Sequence, residues 1–477
     1  MLHPERQIDH VQVETIFALQ KNASLRLRQS TVVERVGKLN RLSNWIKSNK
    51  DKIRIAIHED LGKPAIEADY SEIYVVLSEI KYACKRLPNW VKPKSVKTRF
   101  SLLGSKSQVY FEPKGSALIL SPWNYPFSLA ILPLVSAIAA GCTAIVKPSE
   151  LAPHTSRLIS EMIKQIFRQN EIAVFEGGLP VAQSLLSKSF DHIFFTGSSK
   201  TGKSIMKSAA EHLASVTLEL GGKSPVIIDK GCKLKEVAER VVWGKFINCG
   251  QTCVAPDYIL VHETELDAFL KELKSQLAKM FDPKGKGIEN SPDYGRIINK
   301  NHLRRLEGLI SDGLSKGAKV EIGGNIREEN SFMDPTILTQ VGPNMALMEE
   351  EIFGPILPLL SYSDINQALN YLNAKPKPLA FYIFSEEPYF VNFFISRTSS
   401  GTVVVNDCSL QFGHPGLPFG GVNQSGIGKA HGHYGFLAFS NEKAVLRQKT
   451  GITSVRMLYP PYGLNKNKMV RFFMKWI

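Results

Sequence analysis

Three side chains in this 477-residue sequence could together act on a carbonyl group: Cys253 in Gly250-Gln-Thr-Cys253, Glu219 in Leu218-Glu-Leu-Gly-Gly-Lys-Ser-Pro225, and Asn124 in Ser121-Pro-Trp-Asn-Tyr-Pro-Phe127. A thiolate adds to a carbonyl carbon, and a side-chain amide can donate to the oxyanion that forms. A carboxylate among apolar neighbours has a raised pKa and can take a proton near neutrality. Each residue also has a plainer reading: a small buried hydrophobe for Cys253, a strand-end acid for Glu219, and an Asn closing its own turn for Asn124. A fourth feature is residues 197–204, Gly-Ser-Ser-Lys-Thr-Gly-Lys-Ser, which fit the phosphate-loop pattern at every fixed position after a predicted strand. With Asp229, at the end of the apolar run 226–228, as a magnesium ligand, this segment alone reads as a nucleotide triphosphatase. Glycine-rich backbone at a helix N-terminus also accepts the pyrophosphate of a dinucleotide, although no GxGxxG fingerprint occurs.

Bringing these residues together is the task of the intervening elements. Residues 115–146 carry no charge, a run longer than the roughly 20 residues of a membrane helix. Pro122, Asn124, Pro126, Pro133 and Gly141 interrupt it, so it reads as a buried strand (117–120), a loop (121–126), an apolar helix to Ala140 and a second buried strand (143–146). Continuous apolar strands alternating with helices call for a parallel sheet covered on both faces. The alternation continues through a helix at 153–168, a strand at 173–175, a helix around 181–188, a strand at 192–196 and a helix after Gly202, which predicts a doubly wound α/β domain. A second α/β stretch begins near Ser224 with a strand at 225–228. It runs through a strand at 258–261, helices at 266–280 and 301–316, and strands near 380–384 and 403–405. Ahead of both, residues 12–89 show helical spacing (Val32, Val33, Val36, Leu39), and 94–110 read as an extended arm around Gly104.

The composition, 43% hydrophobic and 22% charged, is that of a globular chain. The net charge of +15 lies at the ends: residues 1–100 carry +8, residues 456–477 carry +5, and the 355 residues between carry +2. A phosphate-tracking groove would put basic residues on the domain that does the chemistry, so no nucleic-acid partner is expected. Six scattered cysteines, with no CxxC pair, argue against a disulfide framework or a metal site and suit a reducing cytoplasm. Glu5, Arg6 and Asp9 precede any apolar run, so no secretory signal is expected. In the tail, Lys468, Arg471 and Lys475 share one helical face, opposite Met469, Phe472, Phe473, Trp476 and Ile477. That pattern suits a helix lying on an anionic membrane surface, and equally one covering the protein's own substrate entrance or a partner subunit.

The three segments first named, with Lys147-Pro-Ser-Glu150, Phe195-Thr-Gly-Ser198, Glu350-Glu-Ile-Phe-Gly-Pro355 and Leu417-Pro-Phe-Gly-Gly421, resemble in order those of the aldehyde dehydrogenases, particularly the fatty- and aromatic-aldehyde branch. The resemblance implies an α/β fold: a Rossmann-type cofactor domain (1–93 and 111–220), an α/β catalytic domain (221–402), a small bridging β element (94–110 and 403–455, with its C-terminal strand near 443–448) that makes a homodimer, and a basic amphipathic tail (456–477). It further implies oxidation of medium- to long-chain aliphatic or aromatic aldehydes to acids through a Cys253 thiohemiacetal and thioester. Glu219 is then the base that activates water, and Asn124 the oxyanion donor alongside the Cys253 backbone N–H. Cofactor contacts fall by resemblance on Lys147 and Glu150 at the adenine ribose, on Gly197, Ser198 and Gly202 at the pyrophosphate, and on Trp123, Leu220, Glu351 and Phe353 towards the nicotinamide. A carboxylate suits ribose hydroxyls whereas Lys147 would attract a 2′-phosphate; NAD is the expected cofactor, with NADP open. Cys249 is either an inert core thiol or an oxidative partner for Cys253, and Lys203 and Ser204 have no evident part in such an enzyme.

Overall fold

The structure, a computed structural model, describes residues 10–98, 102, 104–451, 453–454, 456 and 459–475. The helical spacing of the first ninety residues becomes a layer of five helices: α1 (His10–Leu27), α2 (Val32–Ser48), α3 (Lys50–Leu61), α4 (Ala65–Ala68) and α5 (Val75–Trp90). Helix α2 opens on a capping box in which Thr31 and Glu34 each accept the other's backbone N–H. A π-helical turn, Asp69–Tyr74, joins α4 to α5. The apolar stripe of the layer (Leu39, Leu42, Ile46, Ile57, Ile80, Leu87) is fully buried, each such side chain being worth about 1.5–3 kcal/mol of transfer free energy.

Strands β1 (Lys94–Val96) and β2 (Lys106–Pro113) form an antiparallel arm. The doubly wound unit follows: β3 (Ser116–Leu120), α6 (Ser128–Ala140), β4 (Thr143–Lys147), α7 (Pro153–Ile166), β5 (Ile172–Val174), α8 (Leu179–Leu186), β6 (His192–Gly197), α9 (Ser199–Glu211) and β7 (Ser215–Leu220). These strands pair in parallel in the order β7-β6-β3-β4-β5. Every residue of α6 is buried, which is why the charge-free run can be a core helix rather than a membrane span. No helix among the described residues is long and apolar enough to cross a membrane.

The second unit contains β8 (Pro225–Ile228), α10 (Leu234–Phe246), β9 (Tyr258–His262), β10 (Lys319–Ile322), the small β11–β12 pair (Ile326–Arg327 and Phe332–Met333), β13 (Thr336–Thr339), β14 (Ile356–Tyr362), β15 (Ala380–Phe384) and β16 (Thr402–Val405). Seven of these strands make a sheet ordered β10-β13-β14-β9-β8-β15-β16, parallel except for β10. The chain then returns to the first sheet through β17 (Gly426–Ile427), antiparallel to β7, and ends the folded body with β18 (Ser440–Arg447), which pairs with β2 over eight residues.

Two sequence expectations are corrected here. The bridging element does not begin at Val403: residues 403–405 form the edge of the seven-stranded sheet, where Val403–Val405 pair with Phe381–Ile383, while the bridging strand itself, Ser440–Arg447, falls where a strand near 443–448 was expected. Short extended runs separated by glycines look alike in sequence, and only long-range pairing distributes them among three sheets. The phosphate-loop reading also fails. Helix α9 already begins at Ser199, so Lys200, Thr201, Gly202, Lys203 and Ser204 are helical rather than a loop around a triphosphate, and Lys203 is exposed on that helix. Asp229 lies after β8 in the other sheet, where it accepts a hydrogen bond from Ser385 Oγ (2.7 Å).

Candidate active site

In the order β7-β6-β3-β4-β5, the chain leaves β3 in opposite directions, so the crevice beyond the C-terminal ends of β3 and β6 is a topological switch point, where doubly wound sheets bind ligands. The loop after β3 and the Gly197–Ser198 step after β6 both open onto it. A cleft of about 250 Å³ here is walled by Trp123, Asn124, Gly197, Ser198, Leu220 and Phe353. Cys253, Glu219 and Glu351 line the same cleft, so nine of the twelve residues singled out in the sequence come together. The other three lie at or after the C-terminal ends of strands in the same sheet. Lys147 ends β4 and pairs with Glu150 (2.9 Å), and Gly202 lies in the first turns of α9, where a Cβ would come within 2.8 Å of Leu220.

Cys253 reaches the cleft through a tight backbone reversal. Helix α10 stops at Phe246, and Asn248, Cys249 and Gly250 follow with φ of 51°, 52° and 70°. A Cβ on Gly250 would run into the Gly354 carbonyl, so glycine is required there. Such left-handed runs store strain and cluster at functional sites. The reversal is held by side-chain amides: Gln251 Nε2 donates to the Asn248 and Arg296 carbonyls (3.0 Å each), and Asn248 Nδ2 donates to the Asn124 carbonyl (2.8 Å). Asn124 Nδ2 donates to the Gln251 carbonyl (2.9 Å), two residues from the thiol, leaving its second N–H available. Cys249 is buried and its thiol is pushed up by burial, which suits an inert core thiol.

Burial, with the Glu351 and Glu219 charges nearby, pushes the Cys253 thiol up to about 12. It is therefore protonated at neutral pH and becomes a nucleophile once a base or a positive charge reaches it. Glu219, near the end of β7, is only 6% exposed. Burial raises its carboxyl well above the ordinary range, opposed by the Lys429 ammonium, and neither oxygen has a hydrogen-bond partner among the described residues. Glu351 is likewise raised, to about 8, by burial and the Asp257 charge.

Sequence reasoning missed His302 and Arg305, on the helix Lys300–Ser315, because nothing local marks them. His302, held neutral by burial with a pKa near 4, donates from Nε2 to the Phe353 carbonyl (2.8 Å) and accepts from Arg305 Nε at Nδ1 (3.3 Å). Trp123 packs edge-on to both His302 and Phe353, so this cluster fixes Phe353, itself at φ 50°, at the cleft wall. The sequence also missed a second opening. On the other side of Cys253 runs an apolar tunnel of about 250 Å³ walled by Tyr70, Tyr74, Tyr125, Trp243, Ile247 and Phe412. A small cavity of about 30 Å³, enough for water, touches Cys253, Glu219 and His431. The Cys253 thiol thus lines an open cleft, an apolar tunnel and a water-sized chamber at once.

A model of the aldehyde dehydrogenase family matches residues 5–445. The chain belongs to that family. It is 44% identical over 437 residues to 4,4'-diaponeurosporen-aldehyde dehydrogenase of Staphylococcus aureus, covering 92% of this chain and 94% of that protein. It is 41% identical over 441 residues to aldehyde dehydrogenase family 3 member A2 of Mus musculus, covering 92% and 90%. Among solved structures, the substrate-bound state of Staphylococcus aureus AldH matches with a TM-score of 0.92 at 42% identity, covering 97% of this chain and 99% of that one. These relatives place the protein in the fatty- and aromatic-aldehyde branch. It is an oxidoreductase that oxidises aldehydes with NAD or NADP.

The residues present fit a dinucleotide. Helix α9 points its N-terminus at the cleft from Ser198, whose Oγ caps the Thr201 N–H (3.2 Å), leaving the other first-turn amides to face a pyrophosphate. Gly202 keeps α9 close against Leu220. Lys147 and Glu150 would hold the ribose at one end, and Glu351 and Phe353 the nicotinamide end, where the bound cofactor supplies a hydride acceptor.

Proposed function

We propose that the enzyme oxidises medium- to long-chain aliphatic or aromatic aldehydes to carboxylates, with NAD as its main cofactor. The observation that carries this is the apolar tunnel, walled largely by aromatic side chains, ending at Cys253 opposite the cofactor cleft. An alkyl chain in that tunnel leaves water while its carbonyl meets the thiol, and each buried methylene is worth about 0.8 kcal/mol.

Cys253 gives up its S–H proton to water in the cleft, Sγ bonds to the aldehyde carbon, and the carbonyl oxygen becomes an oxyanion between the free Asn124 N–H and the Cys253 backbone N–H. Loss of hydride from that carbon leaves a thioester on Cys253. Glu219 removes a proton from water beside the thioester; the water oxygen bonds to the acyl carbon, the C–S bond breaks, and the acid departs with Cys253 restored. At the adenine end, the Lys147–Glu150 pair (2.9 Å) already neutralises Lys147, and the Glu150 carboxylate favours ribose hydroxyls over a 2′-phosphate.

The test is NADH and NADPH formation across a series of straight-chain aldehydes. kcat/KM should rise by about fourfold per added methylene over the first several carbons, as expected for 0.8 kcal/mol each, and be higher with NAD. A flat series, or a preference for two- and three-carbon aldehydes, would overturn the chain-length reading.

The same proposal extends to the tail as a membrane-surface contact. Its helix, Leu464–Met474, exposes Leu464, Val470, Phe472 and Met474, with Lys468 and Arg471 on the same short segment; Trp476, Ile477 and the Phe473 side chain lie outside the described residues. In flotation with anionic phosphatidylserine vesicles, full-length protein should rise with the lipid and a truncation after Pro461 should stay below. Equal flotation would remove this contact.

A further inference from the structure

Lys63 and Glu72 form an ion pair (Nζ–Oε1 2.7 Å) with both side chains 0% exposed. Neither lines the cleft or the tunnel. A buried pair gains little over apolar side chains of the same volume, so its position calls for another reason. Among the described residues, the other side-chain hydrogen bonds of the pair fall on the loop that carries Asn124 and on the start of α6 behind it; the buried Glu67 carboxyl lies near enough to feel both charges. Lys63 Nζ donates to the Asn124 carbonyl (3.3 Å) and lies 4.0 Å from the Tyr125 ring centre. The free oxygen of Glu72, Oε2, accepts the backbone N–H of Phe127 and of Ser128, 3.0 Å each, at the start of α6. Lys63 comes from the bend after α3, and Glu72 from the π-helical turn Asp69–Tyr74, which leaves the α-helical register beside the loop. From the other side, Asn248 Nδ2 donates to the same Asn124 carbonyl (2.8 Å), and Asn124 Nδ2 is tied to Gln251 two residues from Cys253.

We propose that the Lys63–Glu72 pair is a positioning device for the oxyanion site: Lys63 fixes the Asn124 peptide, Glu72 fixes the start of α6, and between them the second Asn124 N–H is held where the oxyanion forms. The inference rests on the oxyanion role given to Asn124 above. Neither residue touches substrate or cofactor; both act through Asn124.

The experiment compares wild type, Lys63→Met/Glu72→Gln, Asn124→Ala and the triple variant by single-turnover NADH formation with saturating NAD and a long-chain aldehyde, with thermal denaturation alongside. Removing both charges together at nearly constant volume should leave the unfolding midpoint unchanged or higher. The double variant should form NADH about 10- to 100-fold more slowly, less than the roughly 10²- to 10³-fold expected for deleting an oxyanion donor, with both KM values within about threefold. In the Asn124→Ala background the same two substitutions should change the rate by less than about twofold, since the group they position is gone. A folded double variant at wild-type rate would overturn the proposal, as would a loss that multiplies in full onto Asn124→Ala. Wild-type turnover in Asn124→Ala itself would instead overturn the oxyanion reading beneath it, a separate failure. Should the double variant not fold, Lys63→Gln/Glu72→Gln, which also removes both charges together and keeps a carbonyl oxygen for the Phe127 and Ser128 amides, carries the same comparison.

Discussion

Cys253→Ala is expected to abolish aldehyde-dependent NADH formation, with kcat falling by about 10⁴- to 10⁶-fold, or roughly 5–8 kcal/mol of transition-state stabilisation. The loss is this large because hydride cannot leave the aldehyde carbon until that carbon has become tetrahedral, and among the described residues Cys253 is the only thiol lining the cleft, the tunnel and the small chamber. Cys249, four residues earlier, cannot substitute: it is buried, its thiol is raised by burial, and the left-handed run at 248–250 is part of the reversal that presents Cys253 instead. The fold should tolerate the change, since Cys253 is only half-buried and makes no disulfide. NAD and aldehyde should still bind, so calorimetric or fluorescence titration with NAD at wild-type affinity, together with no 340 nm signal, is the expected pair of results. Steady-state turnover within tenfold of wild type would end the thiohemiacetal mechanism.

The architecture that presents this thiol was partly legible in the sequence, and the boundary between what was legible and what was not is a physical one. Residues 115–146 announced themselves because a strand buried on both faces and a helix buried all round need continuous apolar residues, and the prolines and glycine that punctuate them fix where each ends. The segment that returns to the first sheet was not legible, because β17 is two residues long and its sheet is chosen by a partner some two hundred residues away. The glycine loop misled because a pattern of residue types carries no information on where the helix begins; Ser198, as N-cap, starts it too early for a triphosphate cradle. His302, Arg305, Lys63 and Glu72 were invisible for the deepest reason. Each acts on a backbone carbonyl or amide, and any carbonyl or amide looks the same in a sequence; the pairing exists only once the helical layer has packed on α6 for Lys63 and Glu72, and once the helix Lys300–Ser315 has met the 352–353 carbonyls for His302 and Arg305.

Glu219→Gln is expected to separate the two halves of the reaction. Hydride transfer needs the thiol and the oxyanion donors but not water, so one equivalent of NADH per active site should still appear in a burst. Hydrolysis then loses its general base, and steady-state turnover should fall by about 10²- to 10⁴-fold. The acyl group should accumulate on Cys253 and be seen by intact-protein mass spectrometry as an increment equal to the acyl mass of the aldehyde supplied. The pH dependence follows from the same burial. Glu219 is raised well above its ordinary range by desolvation, against the pull of Lys429, and its ionised form is the base, so hydrolysis should speed up as pH rises through that raised value and level off above it. Glu219→Gln should flatten this limb. For stability the sign reverses, because the folded state prefers the protonated carboxyl. The contribution is complete below the unfolded pKa and is lost as pH rises through the folded one, so Glu219→Gln should stabilise the protein at alkaline pH relative to wild type. A variant that loses its NADH burst along with turnover would place Glu219 in the addition or hydride step. One that keeps full turnover would show that the water is activated elsewhere, with Glu351, raised to about 8 and lining the same cleft, as the next carboxylate to replace.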